Sequence, residues 1–148
     1  MSKSIYILYS LHDNTCASKL SDILTGSGYT VSLVPYEQTK TSDFLSTLSP
    51  DNCQLIISIN MVGFESVSSD GGVTFNKTPI NILAYILDES PIYDHYLSHR
   101  INYTTHIIVQ SQEYKAHITK QHPHVRQVDL VKSINDLPNF LSNMDWRF

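Results

Sequence analysis

The sequence predicts a three-layer α/β domain, Rossmann-like or flavodoxin-like, with a mostly parallel sheet of five or six strands. Short apolar runs rich in Ile, Leu, Val and Tyr recur along the chain, as strands buried on both faces require. Segments with apolar residues at helical spacing fall between them, and such alternation is the signature of a parallel sheet covered by helices.

Each element follows from its residues. Ser4 to Ser10 reads as a core strand. Asp13 is placed to cap a helix through Leu24, with Ala17, Leu20, Ile23 and Leu24 on one face and Gly26 and Gly28 as its stop. Tyr29 to Tyr36 forms a second strand, and a helix opening at Thr41 or Ser42 carries Phe44, Leu45 and Leu48 before Pro50. Gln54 to Asn60 is a third buried strand, and Ile80 to Leu87, interrupted only by Asn81, is a fourth. Tyr93 to Ile101 is predicted helical, and Thr105 to Gln110 is a fifth strand. Ser111 caps a helix running to about Gln121, with Glu113 in its first turn. Val125 to Val131 is a sixth strand, and a last helix around Ile134 to Met144 packs Leu137, Phe140 and Leu141.

Met61 to Thr78 lacks periodicity and contains three glycines and three serines. That exceeds the roughly 12 to 15 residues usual for an unstructured connector, and loops of that length are often functional. It is expected to be a mobile insertion, either a lid or a spacer. Gly71 and Gly72 could let backbone approach a ligand or simply make a turn.

A chain of 148 residues makes one domain, residues 1 to 148, with enough core to need neither disulfides nor metal. Charged residues are only 16% against a usual quarter or so, and the net charge is −4. No basic stripe exists for a phosphate backbone, so nucleic acid is not an expected partner. No apolar run approaches the roughly 20 residues of a membrane span, and the amino terminus lacks a signal-peptide core. Cys16 and Cys53 form no metal motif and read as reduced thiols, which together imply a cytoplasmic protein.

In such a sheet, ligands bind beyond the carboxyl ends of the strands. That edge gathers Ser10, His12 and Asp13 after the first strand, and Pro35 to Glu37 after the second. It also gathers Asn60 and Gly63 after the third, Asp88 and Glu89 after the fourth, and Ser111 after the fifth. A carboxylate or a histidine there could take a proton from a hydroxyl, although Asp88 could equally cap the helix that follows. Tyr93, Tyr96 and Tyr103 could stack on a sugar or base, although at helical spacing Tyr93 and Tyr96 more often pack against the sheet edge. His95 and His99 have the i,i+4 spacing of a chelating pair, and His122 and His124 flank Pro123. HYLSH lacks the glutamate of a zincin, so these read as unrelated surface histidines and no metal ligands are assigned. No dinucleotide or P-loop fingerprint occurs, no nucleophile elbow occurs, and no cofactor is assigned.

Three pieces, in order, resemble the amino-terminal half of a GT-B glycosyltransferase of the CgeB/YkvP-like group, across Gln54 to Val128. They are SINMVGFE with Asn60 and Gly63, YILDESPIYDHYLSHR with Asp88, Pro91, Tyr93 and His95, and HIIVQSQEYKAHITKQHPHV. The group usually has a histidine directly after the aspartate, where this chain has Glu89 and Ser90. The resemblance implies an acceptor-side domain, silent without a second domain that contributes the nucleotide-sugar site. It implies a sugar or other hydroxyl acceptor faced by Asp88 and His95 as bases. Asn60 and Gly63 would line the cleft. Independently of the resemblance, the strand-end residues Ser10, His12 and Glu89, together with Tyr93, are expected as further ligand contacts. The opening IYILYSLHDNTCASKLSDILTGSGYTVSLVPYE is also similar to the start of a TIR-type domain, with Glu65 the only glutamate near the third strand. A standalone TIR-like or flavodoxin-like binding or signalling module is the alternative. A receiver would need an Asp where Asn60 ends the third strand.

Overall fold

The computed structural model describes residues 4–36, 41–66, 72–101, 105–125 and 127–144. Six strands form one sheet: β1 (Ser4–Tyr9), β2 (Thr30–Pro35), β3 (Leu55–Ile59), β4 (Asn81–Ile86), β5 (Thr105–Val109) and β6 (Val128–Leu130). Every pairing is parallel, and the order is β2-β1-β3-β4-β5-β6. This is the flavodoxin-like order with a sixth strand added. In the dinucleotide-binding Rossmann order the third strand would lie outside the second.

Burial explains the sequence of each strand. β3 and β4 are central, and all five residues of Leu55–Ile59 are buried, so both faces must be apolar. β2 is an edge strand whose residues are mostly exposed. That is why Thr30, Ser32 and Pro35 are tolerated there.

Helices α1 (Asn14–Gly26) and α5 (Leu137–Ser142) cover one face, burying Ala17, Leu20, Leu24, Leu137 and Leu141 against Ile7, Ile57 and Leu83. The other face carries α2 (Thr41–Ser46), α3 (Ile92–His99) and α4 (Gln112–Gln121). Leu45, Tyr93, Leu97, Tyr114 and Ile118 pack there on Ile56, Ile82 and Ile107. α1 ends through Gly28, which takes φ of 100° while the Tyr29 amide returns to the Leu24 carbonyl. Ser111 caps α4 as expected, accepting from the Tyr114 amide.

The segment after β3 differs from the expected mobile insertion over its described parts. Met61, Phe64 and Phe75 are core residues, and the Phe64 and Phe75 rings meet edge to face with centroids 4.9 Å apart. Ser66 and Thr74 close the two flanks with a 3.0 Å hydroxyl pair and a backbone bond. Aromatic residues spaced by serines and glycines show no periodicity, yet burial of two rings pins both ends of the loop. Gly71, Glu37 and Tyr103, named above, lie outside the described residues.

Candidate functional site

The strand order reverses direction between β1 and β3, so the crevice beyond their carboxyl ends is the favoured ligand position. Ser10 and Asp13 leave β1 there, and Asn60 leaves β3. Asp13 Oδ2 accepts from Ser10 Oγ at 3.3 Å and from Asn60 Nδ2 at 3.2 Å. It makes no side-chain cap on α1, the role its position suggested. A short 3-10 turn, Leu11–Asp13, intervenes and turns the carboxylate inward to the crevice.

Asn60 ties three strand ends together. Its amide donates to the Tyr85 carbonyl of β4, and its Oδ1 accepts from the amides of Leu87 at 2.7 Å and Asp88 at 3.2 Å. It does so with φ of 55°, followed by Met61 at 59°. Asn tolerates the left-handed region, whereas Met there costs about 1–2 kcal/mol. Strain thus sits directly at the switch point, held by Met61 burial below and the Asn60 bonds above.

Asp88 is exposed, and its Oδ1 accepts from Tyr93 Oη at 2.5 Å. The helix-cap role is not taken, because α3 opens at Pro91 without a side-chain cap. Burial, and then the hydrogen bond to Asp88, push the Tyr93 phenol well above its ordinary range, so it stays a donor. Glu89 is held by Ser111 Oγ, the same hydroxyl that caps α4. His12 stands exposed in the turn before Asp13.

Two expected site residues lie elsewhere. Gly63 is buried with φ of 95°, and a Cβ there would come within 2.6 Å of the Phe75 ring. It is a packing glycine, and its amide donates to Glu65 Oε2 at 3.1 Å. His95 is exposed and set about 200° around α3 from Tyr93. Its ring meets His99, with centroids 5.1 Å apart, and Tyr96. The structure therefore joins Asp88 to Tyr93, Asn60 and, through Asn60, to Asp13, and does not join it to His95.

A second polar cluster lies between α3 and α4. Asp94 Oδ1 meets His122 Nε2 at 2.8 Å and His117 Nε2 at 2.9 Å. These contacts, His122 foremost, hold the Asp94 carboxyl below its usual range, so it is a carboxylate. His122 is only 4% exposed, and its Nδ1 pairs with Ser98 Oγ at 3.1 Å. His117 and His122 are thus not unrelated surface groups. Local spacing hid the cluster, because Asp94 lies 23 and 28 residues from its partners. A separate concavity of about 430 Å³, lined by Leu130, Lys132, Asp136 and Phe140 among others, shares no residue with either cluster.

No family model and no curated protein matches this chain. A solved structure, the yeast Spc42 trimeric coiled coil (amino acids 181–211) fused to another solved structure, superposes with a TM-score of 0.52 at 15% identity. The match covers 96% of this chain and 82% of that one. At that identity it shows a shared fold and nothing further. Among the described residues no helix is long and apolar enough to cross a membrane.

Proposed function

We propose that the chain is the acceptor-side amino-terminal domain of a nucleotide-sugar-dependent glycosyltransferase, folded alone but inactive without a donor-binding second domain. The observation that carries this reading is the Asp88 carboxylate. It stands exposed beyond a central strand, with one oxygen fixed by Tyr93 and its own amide held by Asn60. Its Oδ2 is then placed to take the proton of an acceptor hydroxyl as that oxygen bonds to the anomeric carbon and the nucleotide leaves. Asp88 alone takes the role of base in this form of the reading, since His95 points elsewhere. Two large apolar side chains at the same edge, Leu11 at 78% and Ile92 at 57% exposure, suit a surface that a second domain covers. The free thiols Cys16 and Cys53 support a cytoplasmic setting.

The strand order favours a second reading. A flavodoxin-like sheet is also the frame of standalone binding and signalling modules, which carry no transfer chemistry. The native polypeptide, isolated from its source and assayed with a panel of nucleotide-sugars, separates the two. Transfer activity in a polypeptide well above 16.8 kDa, lost about 100-fold or more in Asp88→Asn with the fold intact, supports the enzyme. A native mass of 16.8 kDa without transfer supports the module. Transfer that survives Asp88→Asn unchanged removes the base from the mechanism.

A further inference from the structure

We propose that Asp94, His117 and His122 form a binding site for a divalent transition-metal ion of the zinc class, at the outer seam between α3 and α4. The inference is independent of the glycosyltransferase reading, because none of the three residues belongs to the Asp88 network.

Two imidazoles and one carboxylate are a complete protein ligand set for a zinc that keeps one position open. Here one ligand atom from each of the three side chains lies within 4.8 Å of the others. His117 Nε2 and His122 Nε2 both point at the same Asp94 oxygen, at 2.9 and 2.8 Å. Ligand atoms of a tetrahedral zinc stand about 3.3 Å apart, given bonds of about 2.0 Å. For an ion to enter, the two His–Asp94 separations would open by about half an ångström, which the partly exposed Asp94 and His117 side chains can supply.

The local backbone explains why a five-residue spacing works where four is usual. His117 lies within α4, and His122 is its C-cap, at φ −131° and ψ 65°. The chain leaves the helix at that residue, so its ring can swing back beside His117 instead of facing the next quadrant.

The surroundings are those of a prepared site. Ser98 Oγ sits 3.1 Å from His122 Nδ1, so the ring's far nitrogen has an outer partner that fixes its orientation, as metal-ligating histidines require. The His117 ring lies flat against Tyr114, 9° from parallel with centroids 5.8 Å apart. The Tyr114 hydroxyl is itself buried and has no hydrogen-bond partner among the described residues. Asp94 and His117 are 43% and 42% exposed at their side chains, which leaves a path for the ion and an open position for water. Buried His122 supplies the fixed side of the site and the two exposed ligands supply the entry.

The test uses the full chain without an affinity tag and titrates it with Zn²⁺ and with Co²⁺, reading Co²⁺ visible absorption and the melting temperature. One equivalent of Co²⁺ should give the intense bands of a low-coordinate site, displaced by Zn²⁺, while Mg²⁺ and Ca²⁺ leave the melting temperature unchanged. Asp94→Asn and His117→Ala alter exposed side chains and should keep the fold while weakening binding about 10-fold or more. The His95→Ala/His99→Ala double variant controls for the neighbouring i,i+4 pair and should bind as the parent does. Absence of saturable binding overturns the proposal. So does binding that is lost in the His95/His99 variant and kept in His117→Ala.

Discussion

The side-chain oxygen of Asn60 accepts the backbone amide of Asp88 across 28 residues of sequence, at 3.2 Å. The end of β3 thereby sets where the carboxylate of the next strand begins. It also links that carboxylate to Asp13, since the same side chain donates to Asp13 Oδ2. The switch-point crevice is therefore one hydrogen-bonded unit and not a collection of loop ends.

Asn60→Ala should lower stability by about 2 kcal/mol, because the Leu87 and Asp88 amides lose their acceptor and alanine lacks the short polar side chain that suits the left-handed backbone. Asn60→Gly loses the same acceptor but relieves the backbone, and should lose about 1 kcal/mol less. Urea unfolding midpoints of the two variants measure the difference. Equal losses would show that the backbone conformation contributes nothing.

Three buried tyrosines make the fold sensitive to alkali. Burial pushes Tyr85 up to about 12, and it raises Tyr93 and Tyr114 further still, with nearby carboxylates adding to both. In the unfolded chain each phenol ionises at about pH 10. With the folded values raised, their contribution is fully present below that pH and is lost as pH rises from there. Stability by urea unfolding should be flat through pH 8 to 9 and fall steeply from about pH 10. Tyr93→Phe should shallow that fall while costing about 1 kcal/mol at pH 8 for the lost bond to the exposed Asp88 carboxylate.

Gly63→Ala should be among the most damaging single-atom changes in the chain. The φ of 95° disfavours any side chain, and the new methyl would meet the Phe75 ring at 2.6 Å and Leu8 at 3.0 Å. Together these imply a loss of about 2–4 kcal/mol. Adding Phe75→Leu should recover part of it if ring overlap is the cause, and none if the backbone alone is at fault.

The two thiols should react very differently. Cys53 is fully buried, and its thiol is pushed up to about 11 by that burial. Cys16 is partly exposed and raised by burial and by Asp13. A disulfide reagent at pH 8 should modify Cys16 slowly in the native protein and Cys53 only after urea is added. Rapid modification of both would mean that the edge between α2 and β3 opens readily.

The sequence alone determined the alternation of strands and helices, the parallel sheet and the location of the sheet edge. Runs such as Leu55–Ile59 and Ile82–Ile86 can be buried on both faces in no other common arrangement. It also placed Asp88, Glu89, Asn60 and Ser10 at that edge, because each lies within three residues of the carboxyl end of a strand. Their partners were not legible. Tyr93 is five residues from Asp88, yet only the angle of α3 turns its hydroxyl onto the carboxylate. Gly63 read as a ligand contact because glycine has no side chain to betray its neighbours, and Phe75 arrives from across the loop. Asp94, His117 and His122 come from separate places in the chain, and α3 and α4 bring them together only by packing side by side on β4 and β5. Periodicity records which face of an element is buried, and the position of a strand end follows from it. Which polar atoms then meet depends on helix rotation and backbone exits, which tertiary packing alone decides.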